Sequence, residues 1–197
     1  MSTAHSFRDL ARTAVREEVL RCAWRLFAEQ GFEATTIDQV AEAAGMSRRT
    51  FFRYFKGKDE LILEKLVEAG ERVAAALEAR PADEAPWIAL RRAFAVVVEA
   101  SETHAEQSRA LRIMLRDEPS VSGSLEEWRR RWTELLAPIV VRRLPALRGS
   151  GPDVRAEALA GSALACLDAA QTAWAERPGS SLSGLVDAAM RAVAPLE

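Results

Sequence analysis

Histidine, tyrosine and cysteine are scarce in this chain of 197 residues, with two, one and two copies. His5 lies near the amino end and His104 at a helix junction, and Tyr54 belongs to a basic, aromatic stretch, so nothing gathers at metal-ligand spacing. A phosphate-cradling glycine loop and a nucleophile elbow are also missing. These absences argue against an enzyme, and catalytic residues, metal ligands and cofactors are all expected to be none. Cys22 and Cys166 stand far apart with no Cys-x-x-Cys spacing, which speaks against zinc or a disulfide framework. Both read as reduced core residues, and a redox role for Cys166 ranks below packing. No uninterrupted apolar run reaches about 18 residues and no signal-type apolar region opens the chain. Neither membrane insertion nor export is expected, and the predicted location is cytoplasmic.

What the chain does contain is apolar material, 49% of its residues, enough for a core in one or two domains. Its net charge of -2 is unevenly spread. Residues 1–58 hold ten Lys/Arg against seven Asp/Glu, giving +3, and the remainder holds seventeen against twenty-two, giving -5. A basic amino-terminal module on an acidic body suits a nucleic-acid reader whose larger part does something else.

Helical period dominates throughout, so the predicted class is all-α with about nine helices. Residues 1–12 show no apolar period and read as a tail, either lying along a minor groove or without a role. A helix follows over about Thr13 to Gln30, burying Val19, Ala23, Leu26 and Phe27, and closing at Gly31. Thr36 and Gln39 form a capping box for a second helix from Ile37, with Val40, Ala41 and Ala44 inward. Gly45 ends it, and Ser47 caps a third helix. Phe51 and Phe55, four apart, face back onto the second helix, leaving Arg48, Arg49, Thr50, Phe52, Arg53 and Tyr54 outward.

That third helix has the layout of a DNA-reading helix. Its first turn carries Arg48, Arg49 and Thr50, and arginine offers a forked donor pair matching guanine O6 and N7. The cations stand at a helix amino end, where the dipole disfavours them, so a mere solvated end explains them poorly. Tyr54 and Lys58 are expected to hold phosphates, and Thr36, Ser47, Phe52 and Arg53 are counted with them among the DNA-binding residues.

The segment TIDQVAEAAGMSRRTFFRYFKGK, preceded by LFAEQGFEATT and followed by Asp-Glu-Leu, resembles the TetR family of bacterial transcriptional regulators over roughly the first third of the chain. Many members have Gly where this chain has Arg49, and a phosphate-bonding Tyr where it has Phe52. Ile37 stands where some members place a polar contact. The resemblance implies a three-helix DNA-binding head over residues 1–57 and an effector-binding and dimerisation body over 58–197. It further implies a homodimer on a double-stranded DNA operator with a palindromic sequence, released by a small apolar effector. An activator, or a DNA-binding protein without effector, is the alternative. The RRTFFRYF segment, and LRIMLRDEP followed by a Trp-bearing helix, resemble the branch near mycofactocin regulators, described with an acyl-CoA-like ligand domain.

In the body, a fourth helix from Lys58 to about Arg80 bears an apolar stripe and links head to body. A fifth runs from Trp87 to about Thr103, a short sixth ends before Pro119, and a seventh is kinked by Pro138. Leu66, Gly70, Phe94, Met114, Trp128 and Trp132 form either a plain core or the wall of an apolar effector pocket; the resemblance favours the pocket. Arg129, Arg130 and Arg131 read as a solvated face, with a phosphate-bearing ligand as the sharper alternative. An eighth helix starting at Pro152 is rich in small residues, and a ninth closes the chain. Ala158, Gly161, Ala165, Leu182, Leu185, Val186 and Met190 are the expected dimer interface, against the alternative that both helices only fill the protomer.

Overall fold

The computed structural model describes residues 7–117, 122–146 and 153–196, all in helices and the turns between them. The chain divides into two compact units, Met1–Lys65 and Leu66–Glu197, so the division falls inside the fourth helix rather than ahead of it at 57/58.

The first unit is built from α1 (Phe7–Gln30), α2 (Ile37–Ala43), α3 (Arg48–Phe51) and the start of α4 (Lys58–Glu78). Its core is Val19, Ala23 and Phe27 of α1 with Phe32, Val40, Ala41, Phe51, Phe55, Leu61 and Ile62, all buried. α1 begins at Phe7, earlier than its apolar period. Residues 9–14 are exposed, so Ala, Leu and Arg, good helix formers, extend the helix there without packing. The tail expected over residues 1–12 is therefore helical from residue 7, and residues 1–6 lie outside the described part.

The second unit holds the rest of α4, then α5 (Pro86–Ala93), α6 (Ala95–Thr103), α7 (Ala105–Asp117), α8 (Ser122–Val141), α9 (Arg155–Glu176) and α10 (Leu182–Val193). α5 and α6 were expected as one helix. They meet at Phe94, which keeps helical φ and ψ of -65° and -14° while its carbonyl accepts from both Val97 and Val98, so the chain tightens there without unwinding. α8 continues through Pro138 for three residues. The stop at Pro119, the start at Pro152 and the side chain of Leu125 lie outside the described residues.

α9 is the central element, packing against α5, α7, α8 and α10. Ala156, Ala160, Ala163 and Ala170 let neighbours approach it, while Leu164, Leu167 and Trp174 fill the space between. Arg109 fixes its end, donating to the carbonyls of Trp174 and Arg177, with the guanidinium 3.9 Å from the Trp174 ring centroid. Arg143 likewise closes α4, donating to Leu77 O at 2.7 Å and Arg80 O at 3.0 Å.

Candidate nucleic-acid interface

The turn between α2 and α3 is fixed by local chemistry. Thr36 Oγ1 accepts from Gln39 N at 3.2 Å while Gln39 Oε1 accepts from Thr36 N at 2.8 Å, completing the capping box. Gly45 takes φ of +66°, which an L side chain rarely adopts, and Met46 N returns to Ala41 O at 2.9 Å. Ser47 Oγ then accepts from Thr50 N at 3.1 Å and pairs with Thr50 Oγ1 at 2.9 Å. α3 is one α-turn; beyond it Arg53 and Tyr54 bond three residues back, a tighter winding that ends at Phe55. Phe51 and Phe55 are fully inward with ring centroids 5.5 Å apart, so the opposite side of the turn faces solvent.

The outward residues differ in freedom. Arg48 donates to Asp38 Oδ2 at 2.9 Å, and its guanidinium stands 5.3 Å from the ring centroid of the half-exposed Phe52. Asp38, on α2, thus neutralises and orients this arginine. Arg49 and Arg53 are exposed and have no partner among the described residues. Tyr54 is half-buried. Lys58, expected to hold phosphate, turns inward: Nζ donates to Phe32 O at 2.8 Å and lies 4.4 Å from the Phe32 ring centroid, so it ties α4 to the loop between α1 and α2.

Sequence reasoning missed Arg16. Its Nε donates to Glu64 Oε1 at 2.8 Å, its Nη2 to Glu64 Oε2, and its Nη1 to Tyr54 O at 2.5 Å, with the guanidinium 4.4 Å from the Phe55 ring centroid. One side chain of α1 thereby joins the end of the reading segment to α4. The available signal was Glu60 and Glu64, an i,i+4 acidic pair opposite a half-buried arginine, with Glu60 at 3.9 Å.

In the second unit the structure brings Leu66, Gly70, Trp128 and Trp132 together. Trp132 Nε1 donates to Leu66 O at 2.8 Å, and a Cβ on Gly70 would fall 2.7 Å from its Cδ1. The space beside Gly70, expected to be open, is filled by this indole. Trp128 packs edge-on at 5.3 Å between centroids, and its own Nε1 is buried without a partner among the described residues. Phe94 is sealed in the core where α5 meets α6, and Met114 is half-buried on α7. Arg130 and Arg131 pair with Glu127, and Arg129 stands 3.6 Å from Asp168.

The expected interface divides in two. Ala158 and Ala165 face solvent and Gly161 and Leu185 are half-exposed, but Leu182, Val186 and Met190 are fully buried within one protomer. α10 sets Ser183, Asp187 and Arg191 along one side, and its bulkiest apolar residues pack inward, so these three are removed from any surface.

A capped two-helix turn with arginines outward and two phenylalanines inward, seated on a longer helix, is the helix-turn-helix head of a DNA-binding regulator. The model for bacterial regulatory proteins of the tetR family matches residues 19–64, and the MftR C-terminal domain model matches residues 84–196, more than half of the chain. This chain belongs to the TetR family of bacterial transcriptional regulators, with a C-terminal domain of the MftR type. The HTH-type transcriptional regulator TcmR of Streptomyces glaucescens is 39% identical over 142 residues, 69% of this chain and 62% of TcmR. EthR of Mycolicibacterium smegmatis, also an HTH-type transcriptional regulator, is 27% identical over 139 residues, 68% of this chain and 62% of EthR. The match thus spans under two thirds of the length of each. The crystal structure of Thermus thermophilus FadR, a TetR-family repressor in complex with lauroyl-CoA, superposes with a TM-score of 0.61 at 25% identity, covering 89% of this chain and 91% of that one. These relatives are regulators and not enzymes. Among the described residues no helix is long and apolar enough to cross a membrane, and no group of three or more His, Cys, Asp or Glu is placed to hold a metal.

Proposed function

We propose that this protein is a dimeric repressor that binds a palindromic operator and is released when a small apolar effector bearing an acyl chain enters its body. The observation that carries the reading is the bond from Trp132 Nε1 to Leu66 O on α4, the helix that also supplies Leu61 and Ile62 to the DNA-binding unit. An apolar chain entering beside Gly70 displaces the indole, breaks that bond and shifts α4. The acyl class is supported by the lauroyl-CoA of the Thermus relative and by the apolar, aromatic seat.

At the DNA, Arg49 reads a base edge with a free guanidinium and Arg48 reads from a position preset by Asp38, with Thr50 beside them. Thr36, Ser47, Arg53 and Tyr54 contact the backbone. The outward residues Ala158, Gly161, Ala165 and Leu185 meet their two-fold copies, so the two heads select an inverted repeat. Release by 100-fold requires the effector to prefer the released state by about 2.7 kcal/mol, within ordinary allosteric coupling.

Operator affinity measured with and without lauroyl-CoA, alongside Trp fluorescence, tests the switch. Fluorescence change with parallel operator release is the expected result. Binding that leaves operator affinity unchanged supports an effector-independent DNA binder instead, and tighter operator binding supports an activator.

A further inference from the structure

The cleft between α5 and α10, close to the end of α4, shares no residue with the DNA-facing surface or with the Gly70–Trp132 seat. It is a shallow cleft, open to solvent, of about 550 Å³ and presents four arginines, Arg80, Arg91, Arg92 and Arg191. Among the described residues, two carboxylates serve these four cations. Glu84, with a side chain only 8% exposed, lies behind one wall, accepting from Arg80 at 2.7 and 2.9 Å and from Arg92. Asp187 serves the other wall, accepting from Arg91 and standing 4.0 Å from Arg191.

Each wall is therefore an arginine–carboxylate–arginine triad with one positive charge left over. Among the described residues the local excess is +2, in a body that is itself acidic, so it is not the background charge of the surface. The hydrogen bond from Arg80 holds Glu84 below the usual carboxylate range, which keeps that triad ionised near neutrality. Arg91 is anchored, donating to Ser183 Oγ at 2.8 Å, whereas Arg92 and Arg191 are 58% and 61% exposed and can turn over an occupant by leaving their carboxylates. Ile88, Ala95 and Leu196 supply an apolar side to the same cleft.

We propose that this cleft binds a phosphomonoester of a small organic molecule, the guanidinium forks taking the phosphate oxygens while Ile88, Ala95 and Leu196 cover the organic part. A phosphate monoester carries close to two negative charges and three terminal oxygens, which matches the spare charge and exceeds what one carboxylate can accept from several forks. The cleft is larger than a bare phosphate, which is why an organic moiety belongs to the proposal.

The test titrates the full-length protein at constant ionic strength with phenyl phosphate, inorganic phosphate and succinate, following phosphorus line broadening and calorimetric heat. Saturable binding of phenyl phosphate, tighter than inorganic phosphate and at least tenfold tighter than succinate, is expected. The double variant Arg92→Gln/Arg191→Gln, at exposed positions, should weaken it by tenfold or more, and Arg92→Lys/Arg191→Lys should recover only part of the loss. Equal binding of succinate, full recovery by lysine, unchanged affinity in the glutamine variant, or no saturable binding would each overturn the site.

Discussion

The indole of Trp132 occupies the place that a side chain on residue 70 would take: an added Cβ would lie 2.7 and 2.8 Å from its Cδ1 and Cε2. Gly70 is thus a seat for an aromatic ring and not the wall of an open cavity. In an unconstrained helix Gly→Ala stabilises by about 1 kcal/mol. Here Gly70→Ala is expected to reverse that sign and destabilise by about 1–3 kcal/mol through overpacking, unless Trp132 leaves its seat. Urea unfolding gives the sign, and Trp fluorescence reports where the ring has gone. A stabilised variant with unchanged fluorescence would contradict the contact.

The pair Asp38–Arg48 bears on readout. Both side chains are more than half exposed, so Asp38→Ala should change stability by less than about 1 kcal/mol. Its effect is expected in selectivity: a freed Arg48 should discriminate less at its own base pair, with affinity for unrelated DNA rising slightly. Arg49→Ala, removing an unpaired guanidinium, should cost about 1–3 kcal/mol on the preferred operator and relax a different base pair. A binding-site selection on both variants separates the two positions. Uniform loss over all sequences for both would mean that neither reads a base.

Much of the DNA head was legible in the chain because its signals are local. A capping box, a positive-φ glycine and phenylalanines four apart act within one or two turns, and the structure places Thr36, Gly45, Phe51 and Phe55 as those rules require. Partners distant in sequence were not legible. Arg16 finds Glu64 across 48 residues and Trp132 finds Leu66 across 66, and no periodicity encodes such pairings. Lys58 has the same lesson in reverse, since its place before an acidic helix start suggested phosphate while its ammonium lies on two loop carbonyls. For α10, the apolar arc carries Leu185, Ala188, Ala189 and Val193 as well as Leu182, Val186 and Met190, and the pattern leaves open which part of it goes inside the protomer.

Arg16 is expected to be required for the shape of the reading segment. Its side chain is 23% exposed and that of Glu64 26%, so the charge-assisted bonds are partly shielded. Arg16→Ala should cost the head about 1.5–3 kcal/mol. Arg16→Lys should rescue little, because an ammonium lacks the fork that spans Glu64 while reaching the Tyr54 carbonyl. Faster hydrogen exchange confined to the amides of residues 48–55 is the specific readout. Full rescue by lysine would reduce Arg16 to a generic positive charge.

Acid should act through Glu127, whose carboxyl is held down to about 2, first by hydrogen bonding from Arg130 and then from Arg131. A carboxylate with a depressed folded-state pKa contributes stability above its ordinary value, and loses that contribution as pH falls through the folded one. The stability gap between wild type and Glu127→Gln should therefore close between about pH 4.5 and about pH 2 and be constant above. Urea midpoints across that range measure it. A gap that widened on acidification would have the wrong sign.

Gly161 is a helical glycine that the protomer itself does not explain. In contrast to Gly70, a Cβ built on it meets nothing within 4 Å, although it stands in the interior of α9, where glycine costs about 1 kcal/mol relative to alanine. Its neighbours on the same outward face, Ala158 and Ala165, are small and exposed, so the face admits close approach of another backbone, as a second copy of α9 would provide. Gly161→Arg should leave the folded protomer intact, since the side chain enters open space, yet it should abolish the proposed dimer. A dimer presents its two heads to major grooves about 34–36 Å apart, so operator affinity should collapse together with assembly while half-site binding persists weakly. Sedimentation and operator titration on the same sample test both halves of the expectation. A Gly161→Arg protein that remained dimeric would move the interface off this face of α9, and a monomer with full operator affinity would sever dimerisation from DNA binding.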